Sequence, residues 1–181
     1  MPRAPFGYVD TAIGVFSFIG ACVAALALAT IAGSVAIEVV ARSILRSPTI
    51  WAIEVATYSL IVAGFLGSAY VLRQGRHLEV TLVIDRLSPR TRNRIGILTD
   101  LLSMAFCILV VFYAIRFVGL SRLIGAVSVS ELRVPLWIPQ LVVPIGFSLL
   151  TLEFFARILV RLGLVPDERF GVLPIDEADH S

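Results

Sequence analysis

Four stretches of this chain are apolar over lengths that a helix in water does not need. Thr11 to Ile37 runs 27 residues without a charge, whereas roughly 20 suffice to cross a hydrocarbon core about 30 Å thick. At about 1.5 Å per residue such a helix must tilt or protrude. Val55 to Leu72 adds 18 uncharged residues, extended backwards past Glu54 by Trp51 to Ile53. A third run covers Ile95 to Ile115 with Asp100 near its start, and a fourth, Val134 to Leu152, has 19 uncharged residues. The expected spans are therefore 11–37, 51–72, 95–115 and 134–152. The first is too long for a secretory signal, whose apolar core covers only about 7 to 15 residues.

Between the second and third spans, Val80, Val83, Ile84 and Leu87 recur at the spacing of one helical face, with Glu79, Asp85 and Arg86 on others. This suits a short helix lying in the membrane interface. Leu78 and Leu82 fall off the stripe, so an irregular loop is the alternative. Ser88-Pro89 offers an N-cap followed by proline at the first position of the third helix. After Leu164 the chain mixes Pro166, Gly171 and Pro174 with Asp176, Glu177 and Asp179, the composition of a disordered polar tail. The expected fold is all-α: one four-helix integral membrane domain over 1–164, an interfacial helix in its central loop, and a tail at 165–181.

Composition agrees. Hydrophobic residues make up 58% and charged residues 15%, against roughly 25% charged in soluble domains, and the mean hydropathy is +0.94. The solvent is a lipid bilayer. Fifteen cations, all arginine, against thirteen acids give a net charge of +2, too little for a nucleic-acid-binding face. With four spans both termini share a side. Arg3, the arginines of the central loop and those of the tail would put ten there and five on the other, which favours cytoplasmic termini.

Ionisable groups inside hydrocarbon are costly enough that each invites the question of its partner. Glu38 and Arg42, and likewise Glu153 and Arg157, stand four apart near helix ends and suit local pairs. Trp51 and Glu54 open the second helix, with Tyr58 one turn on. An interfacial tryptophan beside a helix-start carboxylate is ordinary anchoring. The sharper expectation ties Glu54 to Arg42 or Arg46. Arg73, Arg76 and His77 leave the second helix as cationic anchors. His77 and His180 are the only histidines, so a bis-histidine haem or a histidine-rich metal site is not expected, and Cys22 and Cys107 read as buried hydrophobes.

Ser17, Ala21, Ala25, Ala29 and Gly33 repeat every four residues, as do Ala63/Gly67 and Gly64/Ser68, the pattern of closely packed membrane helices. The fourth span carries Pro135, Pro139 and Pro144 with Gln140 among them. Pro135 fits a first turn, whereas Pro144 removes a backbone hydrogen bond at mid-span and should bend the helix. A bent helix bearing an amide suits a partner surface. No internal repeat, midplane polar site, phosphate-binding glycine loop, zinc motif or nucleophile elbow is present, so neither an autonomous carrier nor an enzyme is expected, and no cofactor.

In order, Arg42 after a long first helix, Trp51-Ala-Ile-Glu54, Gly67, Leu72-Arg73-Gln-Gly-Arg-His77 and Val134-Pro-Leu-Trp-Ile-Pro139 resemble the small permease subunit of tripartite ATP-independent periplasmic (TRAP) transporters, the DctQ-like family. The resemblance runs from about Phe6 to Leu162. It implies a four-helix inner-membrane subunit that braces a large permease subunit, which carries out ion-coupled uptake of organic acids handed over by a periplasmic substrate-binding protein. By the same resemblance Arg42, Trp51, Glu54, Arg73 and His77 are motif positions of architectural rather than substrate-contacting role. The competing readings are a small oligomeric channel or exporter with Glu54 or Asp100 as coupling group, and a membrane enzyme or redox anchor. The arginine asymmetry predicts that a reporter fused after Arg86 reads cytoplasm and one fused after Arg122 reads periplasm; the opposite pattern would overturn the topology.

Overall fold

The structure is a computed structural model that describes residues 6–47, 49–74, 89–130 and 132–162. Helix α1 spans Phe6–Val40 and runs on into a π-helical turn at Ala41–Leu45. Helices α2 (Ala52–Arg73) and α3 (Pro89–Leu123) follow, then the single turn α4 (Trp137–Gln140) and α5 (Val142–Arg161). Among the described residues the only strand-like pairing is one antiparallel bridge between Val127 and Pro135. Four helical segments are long and apolar enough to cross a membrane: Thr11–Ile44, Ala52–Arg73, Asn93–Leu123 and Trp137–Arg161. Three of them run well past the expected limits because their ends carry polar residues that bond within the protein. The expected interfacial helix, His77 and the polar tail lie outside the described residues.

The helices form two antiparallel hairpins, α1–α2 and α3–α5, that meet along α2 and α5. Each hairpin buries a stripe with steps of four and three. On α1 the stripe is Ile13, Ser17, Gly20, Ala24, Ala27, Ile31, Ser34, Glu38 and Ala41; on α3 it is Asp100, Met104, Cys107, Val111, Ala114, Val118 and Ser121. An average step of 3.5 residues is the repeat of left-handed helix packing. The every-four repeat expected on α1 is therefore not the seam. Each step of four turns the face by about 40° at 3.6 residues per turn, so the series leaves the interface after Ser17 and Ala21, and Ala25, Ala29 and Gly33 are exposed.

Small residues set how close the helices come. A Cβ at Gly20 would stand 2.9 Å from the Leu66 carbonyl, and one at Gly67 3.3 Å from the Ala24 Cβ, so α1 and α2 touch nearly backbone to backbone. The two hairpins meet as closely, since a Cβ at Gly146 would lie 2.7 Å from the Phe65 Cβ and 2.8 Å from its carbonyl. Phe65 and Phe147 pack beside this contact with ring centroids 5.7 Å apart. Without a hydrophobic driving force between helices in lipid, such close approach is a main source of association.

The break between α4 and α5 follows from Pro144. It has no N–H for the Gln140 carbonyl four residues back, and its ring crowds that carbonyl. The chain turns at Leu141 before the longer helix begins. Pro135, expected in a first turn, instead precedes the helix and pairs with Val127, while Pro139 sits inside α4.

Gly146→Leu should separate the hairpins and lower stability by about 1–3 kcal/mol, the usual penalty for overpacking. Gly64→Ala, where an added Cβ meets nothing within 4 Å, should be neutral or slightly stabilising, because alanine is the better helix former. Thermal unfolding of the purified chain in detergent reads both; equal losses would contradict the packing described.

Candidate functional site

Among the described residues no single pocket collects the polar groups. They gather at the two ends of the bundle: the end bearing the 41–51 and 124–136 connections, called here the hairpin end, and the end where α1 begins and α5 finishes, called here the termini end.

At the hairpin end the π-helical turn closes on Arg46, whose backbone is left-handed (φ 51°) and whose N–H returns to the Ala41 carbonyl. The chain then folds back so that Thr49 donates both its N–H (2.8 Å) and its hydroxyl to Glu38 Oε2. Arg42 pairs with Glu38 Oε1 at 2.8 Å, its side chain 66% exposed. The local pair expected from the four-residue spacing is present, and Glu38 also pins the α1–α2 connection.

Glu54 takes different partners from those expected. Lying in the first turn of α2, it accepts a hydrogen bond from the Tyr58 hydroxyl at 2.5 Å and another from the hydroxyl of Ser130. Ser130 sits in the α3–α4 connection, which folds as a tight turn: Ser128 N–H donates to Val134 O at 2.8 Å and Leu136 N–H to Ala126 O at 3.0 Å. Ser128 Oγ braces Ser130 through both its hydroxyl and its N–H. The tie to Arg42 or Arg46 is thus replaced by hydroxyl bonds. Glu38 captures Arg42 on its own helix, and the folded turn brings a donor to Glu54 from 76 residues away. Trp51, half-exposed, stands at the N-cap of α2.

At the termini end Glu153 on α5 is 1% exposed. It accepts the hydroxyl of Ser17 on α1 and faces Arg73 on α2, with Nη1 3.4 Å from Oε1 and 3.3 Å from Oε2. One carboxylate therefore joins three helices. Both residues of the expected Glu153–Arg157 pair reach across helices. Arg157 Nε approaches Asp100 Oδ1 on α3 at 3.7 Å, and Arg161 Nε lies 2.7 Å from Oδ2. Gly96 leaves room for the Arg161 guanidinium, which a Cβ there would strike, and Asn93 Nδ2 donates to the Arg161 carbonyl at 3.2 Å. Arg73, expected as an outward cationic anchor, is turned inward instead, its side chain only 11% exposed.

Of the expected positions, Arg42 and Glu54 lie at the hairpin end, Gly67 on the α1–α2 seam, and Arg73 at the opposite end; Pro135, Pro139, Gln140 and Pro144 shape the broken start of the fourth span. The structure does not bring them into one cluster. Sequence reasoning named Ser17 only as a small packing residue and did not single out Ser128, Ser130 or Arg161, or the inter-helix role of Glu153. Lone carboxylates within apolar runs were the available signal for Asp100 and Glu153, whereas nothing local identifies a serine as the partner of a distant acid. Among the described residues no group of three or more potential metal ligands occurs.

Because Glu153 and Arg73 are buried together, removing either should leave an uncompensated charge. Glu153→Leu and Arg73→Met should each lower stability by about 3–5 kcal/mol, with the double variant losing less than the sum. Denaturation in detergent through the full cycle measures the coupling; simple additivity would show that the two do not act as a pair.

Comparison with known proteins gives the family. The family described as "Tripartite ATP-independent periplasmic transporters, DctQ component" matches residues 31–163. The ectoine TRAP transporter small permease protein TeaB of Halomonas elongata is 25% identical over 156 residues, covering 86% of this chain and 79% of TeaB. The C4-dicarboxylate TRAP transporter small permease protein DctQ of Pseudomonas aeruginosa is 30% identical over 116 residues, 63% of this chain and 54% of that protein. A four-span bundle whose described carboxylates are bonded to its own side chains, matched over most of its length by this family, belongs to the DctQ component of the TRAP transporters.

Proposed function

We propose that this chain is the scaffold of a TRAP transporter, bracing a large permease subunit during ion-gradient-driven uptake of an organic acid that a periplasmic binding protein delivers. The observation that carries this reading is the engagement of its acids. Glu38, Glu54, Asp100 and Glu153, the spanning-helix carboxylates whose side chains are described, all bond to groups of this chain. A coupling carboxylate in a carrier must exchange partners with an ion or solute during the cycle. These four instead hold connections and helices in place, which disfavours the channel or exporter reading built on Glu54 or Asp100.

The remaining surface suits a partner. Leu26, Leu102, Phe106, Tyr113 and Leu123 are among many large apolar side chains left exposed by the bundle, and hydrocarbon or another membrane helix can cover them equally well. The relatives' names mention ectoine and C4-dicarboxylates; the substrate of this complex falls in the same broad class of small carboxylate solutes, chosen by the other components. The arginine distribution supports an orientation with both termini in the cytoplasm, which puts the Glu54–Ser130 clasp at the periplasmic face, where the binding protein arrives.

Co-expression with the large subunit, followed by affinity purification in mild detergent, should recover both chains together. Glu54→Gln should reduce that recovery or the transport rate without changing substrate preference, because it weakens the clasp on the 124–136 connection. A changed substrate profile at normal complex yield would contradict the scaffold assignment.

A further inference from the structure

Between the end of α1 and the start of α2 lies a groove of about 420 Å³. Val35 and Val39 of α1 and Ala52 and Ile53 of α2 line its apolar part, with Arg42 and Ser43 at its polar end. Val35, Val39 and Ile53 are exposed and Ala52 is buried, so the groove has a small residue for its floor and opens outward from the bundle. All of these residues fall within the segments Thr11–Ile44 and Ala52–Arg73, which are long and apolar enough to cross a membrane. What the groove opens on is therefore lipid or a membrane partner.

Arg42 decides between the two. Its side chain is 66% exposed, although Nη2 donates to Glu38 Oε1 at 2.8 Å. Glu38 is buried and engaged on both oxygens, since Thr49 donates its N–H and its hydroxyl to Oε2. The carboxylate thus holds one edge of the guanidinium and leaves the rest of a planar five-donor fork, which matches a phosphate in two parallel hydrogen bonds. Arg46 follows four residues on and is also exposed, so one acid and two arginines leave this end with one positive charge. From Arg42 down to Val35 is about 10 Å of helix. A cation at the helix end, with an apolar channel running from it towards the bilayer centre, matches the order of groups in a phospholipid, phosphate first and acyl chain below. Trp51, the residue before Ala52, is of the type that concentrates at the headgroup level. A partner helix would have to bring a carboxylate to this one height, whereas every phospholipid of the leaflet already carries a phosphate there.

We infer that the groove at the hairpin end of α1 and α2 binds one anionic phospholipid, its phosphate on the Arg42 guanidinium and an acyl chain along Val39 and Val35. The site is built from this chain alone; the scaffold role neither requires it nor falls with it.

Native mass spectrometry of the whole purified chain in mild detergent, offered equal amounts of phosphatidylglycerol and phosphatidylethanolamine with the same acyl chains, reads the site. The wild-type chain should retain phosphatidylglycerol about five-fold over phosphatidylethanolamine, the ratio expected of one arginine near a charged headgroup, and Arg42→Gln should bring that ratio close to one. Because Arg42→Gln also breaks the pair with Glu38, Val39→Trp serves as a second variant. Val39 is exposed, so the indole fills the groove with the Glu38–Arg42 pair in place and should lower retention of both lipids. An unchanged ratio in Arg42→Gln, or unchanged retention in Val39→Trp, would overturn the site. Photoreactive benzoylphenylalanine at position 53 should join lipid only when illuminated in cells; a crosslink to another polypeptide would give the groove to a protein partner and refute the lipid assignment.

Discussion

A carboxylate at the depth of a membrane helix has to find its counter-charge or its donors inside the protein, and in this chain that requirement decides how the helices are joined. Glu153 gathers Ser17 of α1 and Arg73 of α2 around α5. Asp100 gathers Arg157 and Arg161 around α3. Glu54 reaches from α2 to the α3–α4 connection, and Glu38 holds the α1–α2 connection against its own helix. Breaking any of these ties leaves a charged or polar group buried without its partner, so each fixes a relative position as well as contributing energy. The close backbone contacts at Gly20, Gly67 and Gly146 depend on that registration, because a displaced helix would bring side chains where only hydrogens fit.

The placement of the described acids differs from that of a carrier's polar site. A carrier exposes polar groups to a solute near the bilayer midplane and lets them change partners. Here the described acids sit towards the two ends of the spans, bonded to groups of the same chain, and the middle of the α1–α2 seam is made by small residues such as Gly20, Ala24 and Gly67. The outer surface of the described bundle is largely apolar, which fits the scaffold role proposed for it.

The four spans, their order and the small-residue character of the seams were legible because apolar length and residue size are local properties of sequence. Span ends were less so. A strict count of uncharged residues stops at Ile37, Ile115 and Leu152, whereas the helices continue through Glu38, Arg116, Glu153 and Arg157; Glu38, Glu153 and Arg157 bond within the protein, and Arg116 lies over the Phe112 ring. The seam on α1 was misread because a repeat of four drifts round the helix while the true interface follows a mean of 3.5. Glu38 and Arg42 were paired correctly since they share a helix. Glu54, Arg73 and Glu153 could not be, since their partners lie 76, 80 and 136 residues away and include serines, which sequence gives no reason to prefer.

The central claim is that the working surfaces of this subunit face another polypeptide and not a solute. Vesicles reconstituted with this chain alone, loaded with a sodium gradient and offered small organic acids with their binding protein, test it directly by measured uptake. The account predicts uptake indistinguishable from empty vesicles, restored only when the large subunit is added; accumulation driven by the isolated chain would contradict it.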